Sequence, residues 1–78
     1  MEENEIIQLG GVKTSPKHIQ FHKKGMKGLV LFKFKKCFYT DANPTVKIDN
    51  LSTLELVYTK HFGGLMLADH KLKQPNNG

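Results

Sequence analysis

The sequence predicts a mainly β fold, a small antiparallel sheet or open barrel of about five to six short strands. Three observations carry that expectation. Residues 28–40, GLVLFKFKKCFYT, are the longest apolar-rich run and alternate in the two-residue rhythm of a half-buried strand. Short stretches rich in valine, isoleucine and aromatics recur along the chain, separated by glycine pairs, proline and Asp/Asn clusters that favour turns. With 78 residues the chain suits one small domain, expected over 1–72, with an anchorless tail over 73–78 expected to be disordered. A second architecture stays open: α+β, with a four-stranded sheet and one helix at about 52–62.

Taken in order, Glu5–Leu9 reads as a short strand, Gly10-Gly11 as a two-residue turn and Val12–Thr14 as the returning strand of a hairpin. Ser15-Pro16 then marks a turn, an edge or a helix start, since proline cannot donate to a ladder. Residues 17–23 decide for a strand: as a helix, Ile19 and Phe21 would sit about 200° apart, whereas a strand puts both on one face. Lys23–Gly28 is a polar, glycine-punctuated loop into the central run.

Within 28–40, Val30, Phe32, Phe34 and Phe38 share one parity and are the expected core face, with Phe32 and Phe34 at its centre. Leu29, Leu31, Lys33, Lys35, Cys37 and Tyr39 share the other, which begins apolar and turns basic. Lys36 is the misfit on the phenylalanine side, and implies a bend, a bulge or the end of the core near Lys35-Lys36. Residues 40–44 read as a turn and Thr45–Asp49 as a strand with Val46 and Ile48 inward. Residues 51–62 fit either element. Helix is supported by Ser52 and Glu55 at capping-box spacing, by Leu51 and Leu56 as a staple, and by the stripe Leu54, Val57, Tyr58, His61. Strand is preferred, because Leu54, Leu56, Tyr58 and Phe62 alternate and Gly63-Gly64 would join them to a partner over 65–72. The segments Leu9-Gly10-Gly11-Val12 and Phe62-Gly63-Gly64-Leu65 echo each other.

Charge is distributed unevenly. Residues 1–10 hold three glutamates and no lysine, residues 11–40 hold eight lysines and no acid, and the remainder is balanced, for a net +5. Such a block points to an anionic partner, nucleic acid or an acidic protein, because crowded like charges repel until something neutralises them. Every basic residue is lysine. Lysine suits phosphate as a point charge, while the fork that reads guanine edges belongs to arginine, so backbone contact of low sequence specificity is expected. The expected contact set is Lys13, Lys17, Lys23, Lys24, Lys27, Lys33, Lys35 and Lys36, with Phe21 and Tyr39, and nearby His22, available for base stacking. A lysine-rich face is also what keeps a small sheet soluble and guards its edges.

Catalysis and metal chemistry have no matching pattern, and the chain is expected to be neither an enzyme nor dependent on a cofactor. His18 and His22 stand at i, i+4, which pinches one ion on a helix but leaves about 13 Å between them on a strand. No CxxC, HxH, HExxH or GxxxxGK[ST] frame is present, and Asp69-His70 with Cys37 specifies no nucleophile elbow. A single cysteine forms no internal disulfide, the N-terminus does not read as a secretory signal, and no apolar run reaches membrane-span length, so a cytoplasmic protein is expected. The competing function is protein–protein interaction, as an inhibitory or accessory module docking through a sheet edge, an apolar patch of Leu29, Leu31 and Tyr39, or the basic face, with a strand-edge homodimer as one form.

Overall fold

Alternation gives a strand two faces, and over residues 29–34 it is the odd-numbered face of the central run that finds the core. The structure, a computed structural model, describes residues 1–67. Its elements are α1 (Glu3–Gln8), β1 (Val12–Ser15), β2 (His18–Phe21), β3 (Leu29–Phe34), β4 (Cys37–Thr40), β5 (Lys47–Ile48) and α2 (Leu51–His61). The five strands form one antiparallel sheet in sequence order. The protein is therefore mainly β, with the strand number expected and with the helix that belonged to the second architecture.

Ile19, Phe21, Leu29, Leu31, Phe38 and Ile48 form the sheet's contribution to a buried cluster completed by Ile6 of α1 and by Leu54, Tyr58 and Phe62 from α2 and its C-cap. Both helices thus pack on one face. Phe21 meets Tyr58 edge-on at 5.7 Å between ring centroids, and Tyr58 packs on Phe62 at 4.6 Å. Phe32 and Phe34, expected at the centre of the core, lie on the opposite face, Phe34 with 54% of its surface exposed. Leu29 and Leu31, expected on an accessible patch, are buried.

The inversion has a local cause. Residues 28–40 are two strands, β3 and β4, with Phe34 opposite Cys37 and Lys35-Lys36 as the turn between them. Both turn residues have positive φ, 52° and 69°, as a two-residue hairpin of primed type requires. The reversal changes which parity faces inward, so Leu31 before it and Phe38 after it share the core. Lys36 was the residue that betrayed this; neither glycine nor asparagine announced a hairpin there.

Two further segments differ from expectation. Residues 3–8 form a helix, and Gly10-Gly11 is its terminator: Gly11 N–H donates to the Ile6 carbonyl and Gly10 N–H to that of Ile7, with Gly10 at φ 111°. That is the Schellman arrangement, in which glycine accepts the left-handed position at no steric cost. Gly11 is required for a second reason, since a Cβ there would stand 2.6 Å from Ile19 Cγ2. The strand preferred for residues 51–62 is a helix capped by Asn50, whose Oδ1 accepts from Thr53 N–H at 3.0 Å. Glu55 serves elsewhere: its Oε2 accepts from Leu67 N–H at 2.8 Å. Phe62-Gly63-Gly64 closes α2 as Leu9-Gly10-Gly11 closes α1, with Gly64 N–H donating to the Thr59 carbonyl. The echo between the two segments is a shared helix stop, not a shared hairpin.

The remaining strands follow their sequence signals. Ile19 and Phe21 are inward on β2, which pairs with β1 through the Pro16-Lys17 turn and with β3 through the longer glycine-containing loop. β5 is short, with Ile48 buried but Val46 37% exposed, contrary to its expected inward position. The partner strand expected over 65–72 lies largely, and the tail 73–78 wholly, outside the described residues. No helix among the described residues is long and apolar enough to cross a membrane.

Candidate functional site

Because the helices occupy one face, the even-numbered side chains of β2 and β3 emerge on the other with those of Cys37, Tyr39 and Lys47. The register sets them in rows. His18, Phe32, Tyr39 and Lys47 lie side by side across four strands, and Phe34 and Cys37 form the next row towards the β3–β4 turn. Phe32 and Tyr39 stack at 5.5 Å with 24° between their planes, and Phe34 meets Tyr39 at 6.4 Å and 65°. Three aromatic rings are thereby gathered on a face that no helix of the described residues covers. Antiparallel pairing puts β3 and β4 neighbours close enough for this, and aromatic cross-strand pairs stabilise the sheet as well.

The lysines split into groups that the sequence block did not distinguish. The β1–β2 and β3–β4 turns lie at the same end of the meander, which brings Lys17, Lys35 and Lys36 to one rim. The backbone fixes this proximity, for Lys33 N–H donates to the Lys17 carbonyl at 2.7 Å. Lys35 Nζ lies 5.4 Å above the Phe34 centroid, a cation–π contact that joins the basic rim to the aromatic face. Lys23, Lys24 and Lys27 occupy the β2–β3 loop at the far end, where His61 Nε2 donates to the Lys27 carbonyl at 2.9 Å. Lys13 and Lys33 project on the helix side, and both approach Glu3 of α1, at 3.1 and 3.8 Å. The acidic N-terminus therefore neutralises part of the basic block. Among the described residues, no carboxylate comes within ion-pair distance of Lys17, Lys35 or Lys36, and Lys47 pairs with Asp49 at 3.6 Å.

Of the two aromatics expected to stack on bases, Tyr39 is on the open face and Phe21 is not. Phe21 is fully buried against Tyr58 and offers no surface to a ligand. Sequence reasoning missed Phe32 and Phe34, which took the place of core residues when parity was carried unbroken through 35–36. The signal that identifies them is composition: Val30, Phe32 and Phe34 alternate with Leu29 and Leu31, so either face could have been the core, and only the helices decide.

Polar chemistry elsewhere is sparse. Ser15 Oγ lies 2.8 Å from His18 Nδ1 and accepts from Lys17 N–H, which ties the β1–β2 turn together. Among the described residues, no three His, Cys, Asp or Glu side chains are grouped to hold a metal ion. A groove of about 550 Å³ runs along the exposed side of α2, lined by Leu51, Leu56 and Met66 with Ser52, Glu55 and Thr59. Cys37 is a half-buried free thiol beside Phe34. No family model, curated protein or solved structure matches the chain.

Proposed function

We propose that the protein is a non-catalytic nucleic-acid-binding module acting in the cytoplasm, which holds phosphates through lysine with little sequence reading. The observation that carries this reading is the convergence of Lys17, Lys35 and Lys36 at one rim, with no carboxylate of the described residues within ion-pair distance of them, although Glu2 and Glu3 share a cleft with Lys36. Uncompensated cations at a protein surface lower the free energy of a polyanion nearby and release its condensed counterions. Lys23, Lys24 and Lys27 at the opposite end extend the positive field, whereas Lys13 and Lys33 reach phosphate only in competition with Glu3. The absence of arginine limits guanine readout, so affinity varies little with base sequence. The unpaired Cys37 thiol suits a reducing compartment.

The test is a titration of a short oligonucleotide at several salt concentrations. Contacts from about four lysines give a log–log slope of affinity on salt of about −3 for a single strand. A slope near zero, or no binding at low ionic strength, rejects the reading.

A second reading, protein–protein interaction as an inhibitory or accessory module, is favoured by the free outer edge of β1, which among the described residues pairs only with β2 and has Val12 59% exposed. An extended segment of a partner, or β1 of a second copy, adds to such an edge through main-chain hydrogen bonds. A pull-down that survives nuclease treatment, or sedimentation as a dimer, favours this reading over the first.

A further inference from the structure

We propose that the open face of the sheet is a stacking platform for single-stranded nucleic acid, with Phe34 and Tyr39 receiving bases and Lys17 and Lys35 holding the adjoining phosphates. The inference rests on the nucleic-acid reading above and deepens it by naming the strandedness of the ligand.

The aromatic content of the outer face is the first ground. The core is already furnished with Phe21, Phe38, Tyr58 and Phe62, and Phe32, Phe34 and Tyr39 add nothing to it. Phe34 keeps more than half of its surface in water, although a polar residue would serve the outside of a strand. Three aromatics in contact on a solvent face constitute a surface to which a planar ligand can bind.

Geometry distinguishes the ligand. The Phe34 and Tyr39 rings stand 6.4 Å apart with 65° between their planes, so bases lying on both rings cannot remain parallel and stacked on each other as they are within a duplex. Successive bases settle on the two rings only when they have parted from each other. A single strand separates its bases readily, while a duplex keeps their faces hidden in the stack, so these rings reward the unpaired form alone.

Charge supplies the path. Lys35 covers the Phe34 ring from the turn, Lys17 lies at the same rim, and Lys47 ends the row that begins at His18 and passes through Phe32 and Tyr39. A strand crossing from the Lys35 rim over Phe34 and Tyr39 has its phosphates beside Lys17 and Lys35 at the rim and its bases on rings, and ends near Lys47, whose charge is shared with Asp49. The face accommodates about two to three bases, the usual footprint of a sheet platform of this width.

Fluorescence anisotropy with a labelled ten-nucleotide oligothymidine, as single strand and annealed to its complement, tests the inference on the full 78-residue chain. Wild type binds the single strand more tightly than the duplex. Phe34→Ala weakens single-strand binding by about tenfold, the loss of one stacked base, and leaves duplex affinity and the salt slope within experimental spread. Phe34→Trp, which keeps a ring on an exposed site, retains the single-strand preference. Equal binding of both forms by wild type, or undiminished oligothymidine binding by a Phe34→Ala protein with a native melting curve, overturns the stacking inference and leaves the lysine reading in place. Failure of both forms to bind at low salt overturns both.

Discussion

Lys35 and Lys36 occupy the two central positions of the β3–β4 turn, where positive φ costs an L-residue with a Cβ about 1–2 kcal/mol at each site. Asparagine and glycine meet that geometry with far less conflict. The double substitution Lys35→Asn with Lys36→Gly is therefore expected to raise stability by about 1 kcal/mol, seen as a melting temperature higher by about 4–8 °C. It should at the same time weaken oligonucleotide binding and flatten the salt slope by about 1.4, because two phosphate contacts disappear. A protein that gains stability and loses nothing in binding would remove these lysines from the interface. The opposite trends, if found, locate backbone strain at a binding rim, a common place for it.

At the scale of the element, both helices depend on their ends. α1 has only six residues, too few to hold together alone, and is fixed by Ile6 in the core, by Glu5 accepting the Glu2 N–H at 2.7 Å and by its Gly10-Gly11 terminator. In α2 the Asn50 cap satisfies a first-turn donor, and Asn50→Ala should cost about 1 kcal/mol in chemical denaturation, with Asn50→Asp recovering most of it. These ends also explain what could be read from the chain beforehand. The turns at Ser15-Pro16 and 40–44 and the inward pair Ile19 and Phe21 were legible, because proline, Asx residues and alternation act locally. The Gly-Gly pairs were not, since glycine permits a hairpin and a helix stop equally, and the choice lies in what precedes it. Residues 51–62 carried both periodicities, and the outcome was set by packing: as a helix, Leu54, Tyr58 and Phe62 all reach the sheet.

For the whole molecule the governing asymmetry is a sheet covered on one side. Sequence alone identified the basic block and Tyr39; it misplaced the core face, because Leu29–Phe34 is apolar on both parities and the deciding partners, Ile6 and Leu54, are remote in sequence. It also counted Lys13 and Lys33 as free, since nothing local ties them to Glu3. That pairing makes a further expectation. Glu3→Gln removes two surface ion pairs, each worth less than about 1 kcal/mol, so stability changes little. Lys13 and Lys33 are then released, and affinity for an oligonucleotide at low salt should rise several-fold, with a steeper salt dependence. Unchanged binding by Glu3→Gln would confine the interface to the Lys17, Lys35 and Lys36 rim.

The Lys35-Lys36 reversal also sets the phase of everything that follows it. Alternation in β4 is counted from the turn, so one residue added between Phe34 and Cys37, with the two-residue turn kept and the β3–β4 register slipping by one, would present Cys37 and Tyr39 to the helices and Phe38 and Thr40 to water. The aromatic platform and the hydrophobic core would then be lost in a single step. A change in length at this hairpin is consequently harmless only where the turn itself absorbs it, whereas a change of residue there leaves the phase of β4 as it is.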